Sequence, residues 1–153
     1  MKKIILGLCI VLSVFIMTGC GQKEKNIEGT LEEIMTKVYA GISDEELPMM
    51  LSNVEVTDEN IENYLGTKDI DYQEALASES MVGSIAHSVV LIRMNEGANI
   101  EDAKTLIKEK ANPRKWICVE AENVFVESKG NLIILIMSGE LADSIKANFE
   151  QLS

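Results

Sequence analysis

His87 is the single imidazole of this chain, and three serines, Ser80, Ser84 and Ser88, stand close to it in sequence. Serine, histidine and an acid together are the parts of a nucleophilic hydrolase, the imidazole taking the hydroxyl proton. The glycine pattern of a nucleophile elbow does not accompany these serines. A lone histidine also rules out a multi-histidine zinc site. In an alternating strand His87 shares a face with Ile85, Val89 and Leu91, the setting of a core histidine with satisfied ring nitrogens. The residues therefore assign no catalytic group, although a small hydrolase working through His87 stays open as an alternative.

Carboxylates are the more abundant chemistry. Asp44-Glu45-Glu46, Asp58-Glu59 with Glu62, and Asp69, Asp71 and Glu74 carry the oxygen ligands that calcium takes. None follows the calcium-loop pattern of a central glycine and a terminal bidentate glutamate. Solvated faces and acids complementing helix N-termini account for them, so no metal and no cofactor is assigned. Asn112-Pro113-Arg114-Lys115-Trp116 joins two cations to the only tryptophan. The expected role is a helix stop with Trp116 packed into the core, rather than a ligand platform. Cys118, in the apolar run 116–119, is expected to be a small buried hydrophobe.

The remaining cysteines, Cys9 and Cys20, lie near the N-terminus. Lys2 and Lys3 precede an apolar run over 4–17, broken only by Gly7 and Ser13, and Thr18-Gly19 then leads into Cys20. A basic start, an apolar middle and small residues at a cut site make a secretory signal. The run is 14 residues long, short of the roughly 20 that span a bilayer. The cysteine at the cut resembles the lipobox of bacterial lipoproteins, with Met17 standing where that box usually has leucine. The resemblance implies that Cys20 is diacylated on sulfur and becomes the first residue of the mature protein. Two acyl chains anchor stably where one anchors only marginally.

On that reading residues 1–19 are a signal peptide, 20–26 a tether and 27–153 a single domain. Removing the signal takes two of the 14 basic residues and none of the 25 acidic ones, leaving 12 against 25 and a net charge of −13. Such a balance argues against nucleic acid, whose phosphates need cations. It gives no attraction to an anionic membrane either, so the lipid must do the anchoring. The 134 residues that remain suffice for one core, and are few for the two lobes of a solute-binding lipoprotein.

The elements that must position these groups follow from periodicity. Thr30-Leu31-Glu32-Glu33 is a capping box, and Leu31, Ile34, Met35, Val38, Tyr39 and Ile42 make one helical stripe behind it. Pro48 stops any helix there. The segment 49–56 reads as a short strand or as irregular. Thr57 or Asp58 caps a short helix through Ile61, Tyr64 and Leu65, which Gly66 closes in the left-handed region. Strands are expected over 70–77 and 85–94, with a connection over 78–84. Asn99 caps a helix ending before Pro113. Strand-like runs follow over 116–121 and 124–126. A turn over 128–131 leads into 132–137, six apolar residues buried on both faces. Ser138 caps a last helix facing inward through Leu141, Ile145, Phe149 and Leu152. The crossover through the 100–112 helix should return the chain parallel. This is an α+β fold, a mixed but mostly antiparallel sheet with helices on one face, preceded by an N-terminal helix.

Residues 84–94, the capped helix, and Asn112-Pro113-Arg114-Lys115-Trp116 leading to 131–136 resemble a family of small Gram-positive lipoproteins catalogued as domain of unknown function 4358. The likeness covers about residues 30–150. It implies this fold and an extracytoplasmic location, and it implies no activity or site. The expectation is a non-enzymatic binding module on the outer face of the cytoplasmic membrane. Its partners would be the membrane, through lipidated Cys20, and a protein or other envelope component.

Overall fold

The structure, a computed structural model, describes residues 25–153. The expected signal peptide, Cys9, Cys20 and most of the expected tether lie outside the described residues. The chain runs α1 (Leu31–Val38), β1 (Leu51–Val56), α2 (Ile61–Leu65), β2 (Tyr72–Ser80), β3 (Ser88–Met94), α3 (Ile100–Lys110), β4 (Asn123–Lys129), β5 (Leu132–Ser138) and α4 (Ala142–Glu150). It is an α+β fold. No helix among the described residues is long and apolar enough to cross a membrane.

The local signals that worked are visible at the helix ends. Thr30 Oγ1 accepts from Glu33 N at 3.2 Å and the Glu33 carboxylate accepts from Thr30 N at 3.1 Å, the reciprocal pair of a capping box. Asn99 Oδ1 accepts from Asp102 N and opens α3. Gly66 ends α2 at φ 74°, where a Cβ would strike the Lys110 carbonyl, so both its conformation and its neighbour require glycine. Two expected caps are not caps. Asn60 rather than Thr57 or Asp58 occupies the α2 cap position, and its Oδ1 turns back to accept from Thr57 N. Ser138 ends β5 instead of opening the last helix, because its hydroxyl is taken by His87.

The five strands lie in the order β1-β2-β3-β5-β4, and every neighbouring pair is antiparallel. The expected parallel return is absent for a simple reason. After α3 the chain passes beyond β3, and β5 then comes back between β3 and β4. β3 and β4 run the same way without touching, so the sheet is not mixed. Residues 116–121 form no strand; their backbone bonds are loop bonds, Ile117 N to Gly83 O and Ala121 N to Pro113 O. The third strand begins at Ser88, not Ile85. His87 N donates to Ile85 O, a tight bend that keeps 85–86 out of the ladder, while His87 O still accepts from Ser80 N.

Helices cover both faces, not one. Leu76, Val89, Leu91, Leu132, Ile134 and Ile136 meet α1 and α4 through Ile34, Val38, Ile145 and Phe149. Ala75, Ala77, Val90, Ile92, Ile133, Leu135 and Met137 meet α2 and α3 through Ile61, Leu65, Ala103 and Ile107. A strand sandwiched in this way has no solvent side, which is why β5 is apolar at every position from Leu132 to Met137 and buried throughout.

The sheet has two distinct ends. At one, Lys25 and Asn26 press on the β4–β5 turn, where Gly130 at φ 56° leaves room that a Cβ would fill. Arg93, on β3, fixes this entering segment. Its guanidinium donates to Ile27 O at 2.7 Å and Gly29 O at 2.6 Å, and pairs with Glu74 at 2.7 Å. This end, where residues 25–30 lead into the fold, is called the tether pole after the expected tether. At the other end the chain leaves β2 at Ser80 and enters β3 at Ser88, while β5 ends at Ser138 and β4 begins at Asn123. Here the loops 43–50, 81–87 and 112–122 gather into a loop pole.

Candidate functional site

His87 sits at the root of the loop pole and is 1% exposed. The Tyr39 hydroxyl, at the C-cap of α1, lies 2.7 Å from His87 Nε2, and Ser138 Oγ, at the end of β5, lies 2.8 Å from Nδ1. A neutral imidazole donates from one nitrogen and accepts at the other, and two hydroxyls serve either tautomer. Burial alone pushes the His87 pKa down to about 4, so the ring is neutral at pH 7. Burial likewise pushes the Tyr39 phenol far up, opposed by the Ser78 hydroxyl, and it stays protonated. Ser78 Oγ is itself buried without a well-formed hydrogen bond.

The serines near His87 in sequence do not reach it. Ser80 Oγ donates to Met49 O at 2.8 Å and accepts from Val82 N. Ser88 Oγ accepts from Lys115 Nζ at 3.3 Å, and Ser84 is exposed. The serine that does bond, Ser138, is 51 residues away. Among the described residues no carboxylate bonds the ring, so the constellation lacks the acid of a triad, and both nitrogens are already engaged.

A cleft of about 710 Å³ opens beside this knot, between the turn 43–48, Ile85-Ala86, the segment 119–122 and the start of the last helical stretch. Its floor includes Pro48, Ile85, Val119 and Leu141, and five glutamates, Glu45, Glu46, Glu120, Glu122 and Glu140, line it. Glu46 accepts from the Ser43 backbone N–H and hydroxyl, which lower its pKa, and Glu120 pairs with Arg114 at 3.3 Å. Glu45, Glu122 and Glu140 have no ion pair among the described residues. Of the other clustered acids, Asp58 accepts from Tyr72 Oη and Asp71 from Asn95 Nδ2, while Glu74 holds Arg93. Among the described residues no group of three or more His, Cys, Asp or Glu is placed to hold a metal ion.

Beyond the cleft the loops carry four exposed apolar side chains. Met49, Met50, Met81 and Ile117 are 70, 68, 60 and 75% exposed. They are neighbours: Met81 N donates to Met50 O, Ile117 N donates to Gly83 O, and the Ile117 side chain lies over Gly83. Cys118 follows Ile117 on this loop, in a depression shared with Arg114 and Glu120. Far from being a buried hydrophobe, it is exposed at φ 66°, because 116–121 loops outward instead of joining the sheet. Trp116 is half-buried against the core with its Nε1 unpaired. Beside it Lys115 Nζ lies 3.1 Å from Glu79 and over the rings of Tyr64 (4.8 Å) and Trp116 (5.3 Å). The side chains of Lys115 and Glu79 are both largely buried, and this pair ties the root of the 112–122 loop to β2.

No family model, curated protein or solved structure matches this chain. The partners of His87 and the exposed apolar group were not singled out from sequence. In sequence Tyr39 reads only as one position of the α1 stripe and Ser138 only as a cap, and nothing in their spacing from His87 links the three.

Proposed function

We propose that this protein is a lipid-anchored extracytoplasmic interaction module, attached through Cys20 to the outer face of the cytoplasmic membrane, with the loop pole as its contact surface. Membership of the lipoprotein family catalogued as domain of unknown function 4358 is part of the same proposal. The observation that carries it is the exposed group Met49, Met50, Met81 and Ile117, at the end of the sheet opposite the tether. Covering a large apolar side chain stabilises a complex by about 1.5–3 kcal/mol. Methionine also adapts its shape to a partner more readily than a branched side chain. The sealed state of His87 favours this reading over the hydrolase alternative.

Two measurements on the full chain in the bacterial envelope test the proposal. Cys20→Ala is expected to accumulate an uncleaved precursor that takes up no fatty-acid analogue; unchanged labelling refutes the anchor. A photo-crosslinking residue at Met81 is expected to trap an envelope protein, while the same residue at Glu96, on the tether pole, does not. Equal trapping from both positions refutes the assignment of the pole.

A further inference from the structure

We infer that the partner of the loop pole is a cationic polypeptide segment carrying apolar anchor residues, which seats its anchors on the methionine-isoleucine surface and its lysines or arginines in the glutamate-lined cleft. This rests on the reading of the pole as a contact surface and adds the chemistry of what it contacts.

The cleft and the apolar group are built from neighbouring stretches of the same three loops. Pro48 lines the cleft and Met49 follows it onto the surface; Val119 lines the cleft one residue beyond Cys118 and two beyond Ile117. A ligand spanning the two therefore meets apolar side chains at one end and carboxylates at the other. Three of those carboxylates, on Glu45, Glu122 and Glu140, lack an ion pair among the described residues and can accept one from outside without breaking an internal contact. Three other common occupants fit worse. A second copy would bring the same glutamates face to face, and like charges opposed across an interface are repulsive. An anionic bilayer would meet them in the same way. Reaching the bilayer also requires the domain to tip over, since the five residues from Cys20 to Lys25 extend at most roughly 17 Å from the tether pole. A neutral apolar segment would cover the methionines and leave the cleft unused. Electrostatic complementarity of this kind sets specificity and speeds encounter.

The test uses the full chain in phosphatidylcholine nanodiscs and a short fluorescent peptide alternating lysine and leucine, with empty discs as the blank. Two further peptides replace lysine by glutamate and leucine by serine. The lysine-leucine peptide is expected to bind in a salt-sensitive way and the other two to bind at least roughly tenfold more weakly. Met49→Ser/Met81→Ser/Ile117→Ser and Glu45→Gln/Glu122→Gln/Glu140→Gln are each expected to weaken it by a similar factor. Glu28→Gln/Glu96→Gln/Glu101→Gln, away from the loop pole, removes the same charge and is expected to change nothing. A loss shared by that control means attraction to bulk charge and overturns the inference. Loss with the serine variant alone overturns the cationic partner and leaves the pole as a contact surface. Indifference to both variants overturns the inference and the pole together. Disc doublets dissolved by Ile117→Ser would identify a second copy as the occupant. Capture of phosphatidylglycerol vesicles through the pole would identify the bilayer; either result overturns the inference.

Discussion

Acid should loosen this fold through His87 before the ordinary carboxylates titrate. Burial holds the folded-state pKa at about 4 against an ordinary 6.5. Between those values the unfolded chain binds a proton that the folded chain does not, so stability is complete above 6.5 and is lost as the pH falls toward 4. The hydrogen bonds are not the cause, since Tyr39 and Ser138 can each accept from an imidazolium N–H. The cost is a charge placed where no carboxylate bonds the ring. Keeping the ring neutral down to about 4 corresponds to roughly 3 kcal/mol in full, and integrating from pH 8 down to pH 5 gives roughly 2 kcal/mol. For a domain of this size that is a fall in Tm of roughly 6–10 °C.

The assay is a set of circular dichroism melts of residues 25–153 at pH 8, 7, 6 and 5, for the native sequence and for His87→Gln. Glutamine does not titrate and can keep one of the two hydrogen bonds. It should start about 1–3 kcal/mol less stable at pH 8, the cost of a buried hydroxyl left without a partner. The gap between the two proteins should then close toward pH 5. The difference between the curves is the quantity to read, because relief of the net negative charge acts on both. Parallel curves across the range would refute the reasoning, and would mean that water reaches the ring.

Ile134→Asp places an ion at a fully buried position of an interior strand, between Leu91 and Glu127 in register. It should abolish the cooperative melt, whereas Glu127→Gln, which loses only the half-buried pair with Lys146, should cost about 1 kcal/mol or less. A cooperative melt of Ile134→Asp near the native temperature would show that β5 is not interior. Arg93→Met removes the donors to Ile27 O and Gly29 O, and should free residues 25–30 to exchange amide hydrogens at loop rates while β3 stays protected; unchanged exchange there would refute the clamp.

What could be read from the sequence was local in origin. The Thr30–Glu33 box, the Gly66 stop, the Asn99 cap and the unbroken apolar run 132–137 each declare themselves within a few residues, and each is where expected. Errors arose where a neighbour in space overruled a neighbour in sequence. Trp116, Ile117, Cys118 and Val119 have the composition of a strand, but composition does not supply a partner, and in the fold these residues loop outward with Ile117 N donating to Gly83 O. Ser138 has the chemistry of a cap, but a ring 51 residues away holds its hydroxyl. Strand order was invisible for the same reason, since an alternating pattern reports which face is buried and is silent about which strand lies alongside.

Those distant contacts also explain how a surface made of loops can hold a shape. With helices on both faces of the sheet, the broad irregular regions are 43–50, 81–87 and 112–122, and each is fixed at its root by a polar contact the sequence did not announce. His87 ties the end of 81–87 to α1 and β5. Ser80 donates to Met49 O and so holds the far end of 43–50 against β2. Lys115, paired with Glu79 and set over two aromatic rings, does the same for 112–122. The polar groups that first suggested catalysis are thus spent on anchoring loops. The tips they hold in place present Met49, Met50, Met81, Ile117 and the free glutamates, and a partner can meet those groups without the surface first paying to become ordered. In this reading the lone histidine matters to function through position alone, because it keeps a contact surface in register with a rigid sheet.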